Sequence, residues 1–153
     1  MIVFRLSKSK HSKDLSGKGA EKFGGRWNSK GVALLYTSDS RALCTAEIAV
    51  HTPLGNLPFD YEVTLIKIPE NTIIPELEIS ELPVDWKSIP HSHSTQEIGD
   101  KFVDEEKFVA LKVPSAVVQG EFNYLINPAH PDFRSITIEK TEAFSFDERL
   151  FLR

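Results

Sequence analysis

The pentapeptide Gly24-Gly25-Arg26-Trp27-Asn28 sets a guanidinium and an amide between two glycines and a large aromatic ring. Successive glycines let the backbone take positive φ and approach a ligand closely, so the side chain that follows is aimed rather than buried. Arg26 then offers a rigid fork of donors suited to a phosphate or carboxylate, with backbone N–H groups free to help. An ordinary turn carrying a surface arginine fits the same five residues. Glu47 is the second chemical group: it falls four residues after Leu43 and three before Val50, on an apolar stripe, with His51 one turn further along the same side. A carboxylate on such a stripe costs several kcal/mol unless it is paired or hydrogen-bonded. Either it sits in a structural ion pair or it does chemistry, with Arg26 or Arg5 as the candidate partner in both cases.

The elements that must hold these groups follow from periodicity. Ile2 to Leu6 alternates as a short strand and places Arg5 on the face opposite Phe4. Ser7 to Lys22 is polar and aperiodic, a mobile loop leading into the glycine turn. Val32 to Thr37 is an apolar strand with Tyr36 one residue from its end. Ser38, Asp39 and Ser40 are N-cap candidates for a helix running to about His51 and stopped by Pro53. Its mostly apolar circumference predicts a helix inside the protein. Asp60 to Ile68 and Thr72 to Pro75 read as strands, and Thr95 to about Lys107 as a helix. His91 and His93, with no further ligand nearby, read as an exposed loop pair rather than a metal site. Phe108 to Val113 is a strand that carries Ser115 just past its end. No Gly-x-Ser-x-Gly elbow surrounds it, so Ser115 is a hydrogen-bond donor or plain turn chemistry. Asn123, Asn127 and His130 belong to a polar loop before a last strand at Ile136 to Thr141.

Composition narrows the function. The 153 residues, 41% hydrophobic, suit one domain over 1–153 that buries about two thirds of its unfolded surface. One cysteine, Cys44, excludes an internal disulfide and points to a reducing compartment. No signal-peptide core and no membrane-length apolar run is present, so a cytoplasmic location without membrane contact is expected. Residues 1–31 hold eight Lys or Arg against two acids, leaving the remainder at −10. That basic end could cradle a small phosphorylated ligand, while a pI near 5.7 argues against direct nucleic-acid contact.

The ordered set Gly24-Gly25-Arg26-Trp27-Asn28, Tyr36, the Glu47 helix with His51, Val113-Pro114-Ser115 and Asn123…Asn127-Pro128-Ala129-His130-Pro131 resembles the RES domain family over essentially the whole chain. One departure is Gln119, where a proline is expected; it touches loop shape rather than chemistry. The resemblance implies an α+β fold, a single mixed domain similar to the ADP-ribosyltransferases, with small twisted sheets flanked by a few helices. It implies a bacterial toxin of a type II toxin–antitoxin pair. Its partner would be a DNA-binding antitoxin of the Xre type, and a homodimer within the complex is compatible with it. The expected activity is cleavage of the nicotinamide–ribose bond of NAD+, a substrate rather than a cofactor, by water or phosphate. Transfer of ADP-ribose to a host protein is the alternative, followed by a non-catalytic nucleotide-binding module. An RNA-cleaving toxin fits less well, because no clustered His/Lys acid–base pair accompanies the acidic pI. Carried over by motif, Glu47, Arg26 and Tyr36 would be catalytic, and Arg5, Asn28, His51, Ser115 and Asn127 would bind substrate, with no metal.

Residue chemistry agrees with that implication. Nicotinamide leaves as a neutral molecule from a cationic ring through an oxocarbenium-like state, so little general-acid help is needed. A desolvated carboxylate such as Glu47 would stabilise the developing positive charge, and an arginine would hold the pyrophosphate. Tyr36 could stack on the pyridinium face. His51 fits a hydrogen bond to Glu47 as well as it fits direct participation.

Overall fold

The computed structural model describes residues 1–153. Its centre is β1 (Ile2–Lys8), whose alternation sends Ile2, Phe4 and Leu6 to one face and Val3 to the other. β2 (Leu35–Ser38), β3 (Tyr61–Lys67), β4 (Ala110–Pro114), β5 (Phe122–Ile126) and β6 (Thr137–Phe144) complete an antiparallel sheet in the order β4-β5-β2-β1-β3-β6. The strands are not joined evenly. β1 and β3 pair without a break from Ile2↔Lys67 to Lys8↔Tyr61, whereas β1 and β2 meet only at Phe4↔Ser38. The sheet is therefore two three-stranded halves welded at one residue pair.

Three helices flank it: α1 (Lys18–Phe23), α2 (Arg41–His51) and α3 (His93–Glu105). α2 starts where Ser40 Oγ accepts the Leu43 N–H at 3.0 Å, an ordinary N-cap. It lies over the β1–β3 half, with Cys44 packed among Leu6, Val63 and Leu65. α3 lies over the β4–β5–β2 half, where Phe102 meets Trp27, Leu34, Leu111, Val113 and Leu125. On the opposite face Val3, Leu35, Ile66 and Ile126 form the core shared by both halves.

Several sequence expectations need correction. The segment expected as a mobile loop holds the end of β1 and the helix α1, which Gly24 terminates at φ 73° with its N–H on the Ala20 carbonyl. The strand expected from Val32 begins only at Leu35. Thr72 to Pro75 forms no strand; Glu76 alone makes a parallel bridge to Lys112. Asn123 lies on a strand, because Phe122 and Tyr124 to Ile126 supply the apolar ladder its neighbours obscured. α2 is not buried all round. Only Leu43 and Cys44 are buried and Val50 is 59% exposed, because the alanines that make the helix read as apolar carry little surface to hide. No helix is long and apolar enough to cross a membrane.

Candidate active site

The glycine turn is built as a small closed structure. Gly25 and Asn28 bridge in antiparallel fashion, the Gly25 N–H donating to the Asn28 carbonyl at 2.9 Å. Asn28 is 0% exposed; its amide donates to the carbonyls of Ala20 (2.8 Å) and Val32 (2.9 Å) and accepts the Tyr36 hydroxyl at 2.6 Å. The same hydroxyl accepts the Trp27 N–H at 3.0 Å. A Cβ on Gly25 would lie 2.6 Å from that oxygen, which is why this position is a glycine. From the other side, α3 clamps the turn: Gln96 donates to the carbonyls of Gly25 and Asn28, and Asp100 accepts both the N–H and the hydroxyl of Ser29.

This arrangement reassigns two residues. Asn28, expected against substrate, is sealed in and shapes the turn instead. The Tyr36 hydroxyl is fully engaged in holding that turn, and burial pushes its acidity far below that of a free phenol, so it works as a neutral anchor.

Arg26 is what the turn presents. Its Nη1 donates to the carbonyls of Trp86 (2.7 Å) and Ser88 (3.1 Å), tethering it to the strap between β3 and α3. Burial lowers its pKa, while Glu47 and Tyr36 act in the opposite sense, so the guanidinium and the Glu47 carboxylate share one electrostatic field. They form no ion pair; neither arginine proposed as partner for Glu47 is one.

Glu47 has neutral partners. Its Oε1 accepts the Asn123 amide at 2.8 Å and the Ser115 hydroxyl at 3.2 Å, while Oε2 takes no hydrogen bond from the protein. Ser115 Oγ is fixed in turn by the N–H groups of Val117 (3.1 Å) and Val118 (3.0 Å), which occupy its lone pairs and leave its proton for Glu47. Ser115 is therefore both the donor and the turn residue that the sequence offered as alternatives. Asn123 is fixed by Ser38, whose hydroxyl donates to Oδ1 at 2.8 Å. Ser38 and Asn123 face each other in the β2–β5 ladder.

The other expected residues separate. His51, exposed at the end of α2, lies one turn from Glu47 but does not bond to it. His91, on the strap, feels the field of this region: burial first, then Arg26 and His51, lower its pKa. Arg5 pairs with Thr64 on the face away from α2, and its Nη1 bonds the His11 carbonyl and Ser7, so it is not a neighbour of Glu47. Asn127 is 0% exposed and stitches the end of β5 to α3 through the Val103 carbonyl, so it too is scaffold. The residues that sequence reasoning missed are Ser38, Gln96, Asp100 and His91; Asn123 was placed in a loop. A concavity of about 420 Å³ lies elsewhere, lined by residues such as Asn71, Lys107, Phe108 and His130. Hydrogen-bond geometry rather than hollow size marks the site.

The profile of the RES domain matches residues 2–147. The chain belongs to the RES domain family. Relatives along nearly the full length of this RES domain carry toxin names. A "Prs ADP-ribosylating toxin" of Sphingobium sp. is 38% identical over 140 residues, covering 90% of this chain and 86% of the relative. A "Toxin Res" of Photorhabdus laumondii is 38% identical over 152 residues, covering 98% and 97%. The fold is similar to a chain in the crystal structure of the M. tuberculosis MbcT–MbcA toxin–antitoxin complex, with a TM-score of 0.73 at 19% identity over 94% of this chain and 84% of that one.

Proposed function

We propose that this RES-domain toxin cleaves the nicotinamide–ribose bond of NAD+. The observation that carries the reading is the half-restrained Glu47 carboxylate: Oε1 held by Asn123 and Ser115, Oε2 free of protein donors. As the glycosidic bond breaks, its electron pair leaves with nicotinamide, which departs neutral, and positive charge develops on the ribose carbon. Oε2 is the oxygen that stabilises that charge, an effect commonly worth a few kcal/mol from one prearranged group. Arg26, aimed by the glycine turn and tethered to the strap, meets the pyrophosphate. Water, giving up a proton to solvent, or a phosphate anion then adds to the ribose carbon.

A second acceptor is favoured by the name of the Sphingobium relative: a protein side chain that receives the ADP-ribose. The partner is an antitoxin of the DNA-binding Xre type that covers the site in the resting cell. The toxin names of the relatives and the toxin–antitoxin complex with a similar fold support that reading. Nicotinamide release by the purified chain, with and without phosphate, tests the proposal. Release that Glu47→Gln abolishes and Arg26→Ala weakens through KM is expected. Equal release by Glu47→Gln would sink it, and a labelled protein acceptor without free ADP-ribose would select the transferase.

A further inference from the structure

Glu47 is the only acid that Asn123 and Ser115 serve, and the order of bonds around Asn123 has one chemical solution. A carboxylate oxygen cannot donate, so the amide must turn Nδ2 toward Glu47; Oδ1 then faces Ser38, whose hydroxyl can donate. If Ser38 lost its hydroxyl, the hydrogen bond that opposes rotation of the amide would be gone, and rotation would bring Oδ1 against Oε1, acceptor against acceptor. Ser38 itself is fixed by its place in the fold, since it is the β2 residue that meets Phe4 at the weld between the half-sheets. It is buried, and its neighbour Cys44 packs beneath it on α2 with the thiol turned to the Phe4 carbonyl.

We propose that Ser38 and Asn123 form a positioning relay that runs from the weld between the two half-sheets to Glu47 Oε1, immobilising that oxygen so that Oε2 alone meets the substrate. The proposal rests on Glu47 being the working carboxylate of the proposed cleavage. Neither relay residue touches substrate. The relay acts through orientation, so its loss is felt in kcat more than in KM.

Two variants test it. In Asn123→Asp a second carboxyl lies within hydrogen-bond distance of Oε1. Two carboxyls so placed share a proton at lower pH and repel once both ionise, so the pair holds its proton into the neutral range. The variant is therefore expected to work near pH 5 and, measured beside the wild type, to lose about tenfold or more of its kcat relative to it by pH 8. Ser38→Ala is expected to lower kcat several-fold with KM within about twofold. A purely structural role would lower the yield or the melting point of Asn123→Asp without creating a new limb, so a pH profile parallel to wild type overturns the relay.

A readout free of turnover separates this from the cleavage reading. In the free protein, NMR of the Asn123 side-chain amide is expected to show two well separated protons whose shifts change in Glu47→Gln and draw together in Ser38→Ala. Wild-type protein with that signature but no nicotinamide release would sink the cleavage reading alone. Release combined with an Asn123 amide that responds to neither substitution would sink the relay alone.

Discussion

Gly99 of α3 lies against Trp27 so closely that a Cβ on the glycine would sit 1.6 Å from the Trp27 carbonyl oxygen. The helix and the arginine turn are therefore in backbone contact, and one methyl group is enough to separate them. Gly99→Ala should cost at least about 3 kcal/mol, the upper end of what overpacking does, since the obstacle is backbone and not a flexible side chain. Denaturant midpoints check this, and an unchanged midpoint would show that α3 can drift without loss.

Tyr36→Phe separates two roles for one ring. The phenyl keeps any stacking surface, while the hydroxyl that joins Trp27 N–H to Asn28 is lost. The expected outcome is a loss of about 1–3 kcal/mol in stability, because Asn28 Oδ1 and a buried N–H are left unpaired. With the turn loosened, KM for NAD+ should rise. Full stability with an unchanged KM would show that the hydroxyl does not hold the turn.

His91 offers a proton-level probe of the strap. Burial first, then Arg26 and His51, hold its pKa below 6.5. The folded value is depressed, so the neutral form is the stabilised one: the contribution is present above 6.5 and is lost as pH falls through the lower folded value. An NMR titration of the His91 ring should therefore show a midpoint below 6.5 that moves upward in Arg26→Gln. A midpoint indifferent to that substitution would place the guanidinium away from the strap.

Arg41 first, then Lys140, hold the Glu142 carboxyl down to about 2. Its pKa is depressed on folding, so its contribution is present above 4.5 and is lost as pH falls toward 2. All three groups lie near the surface, so melting differences between wild type and Glu142→Gln should be confined to pH above that window and should vanish near about 1 M salt. A difference that survives salt would mean the cluster is more shielded than its exposure implies.

What was legible in the sequence was local. A lone acid on an apolar helical stripe marked Glu47, and two glycines before an arginine marked the turn, because both are departures from short-range pattern. Period two also placed Arg5 opposite Phe4, and the structure keeps it there, away from α2. Asn28 and Asn127 were misread because polarity suggests exposure, whereas a buried amide is the cheapest way to satisfy orphan backbone groups. The Asn123 bond to Glu47 spans 76 residues and crosses from one half-sheet to the other. No spacing rule reaches that far, and the burial of α2 was overestimated because alanine counts as apolar without filling much space.

With β1 and β2 joined at a single pair, the two half-sheets each own part of one reaction centre. The half formed by β1 and β3 carries α2 and so the carboxylate; the other carries both donors, Asn123 and Ser115. A displacement of one half-sheet against the other by little more than the length of a hydrogen bond would leave Glu47 without its donors while every residue of the site stayed in place within its own half.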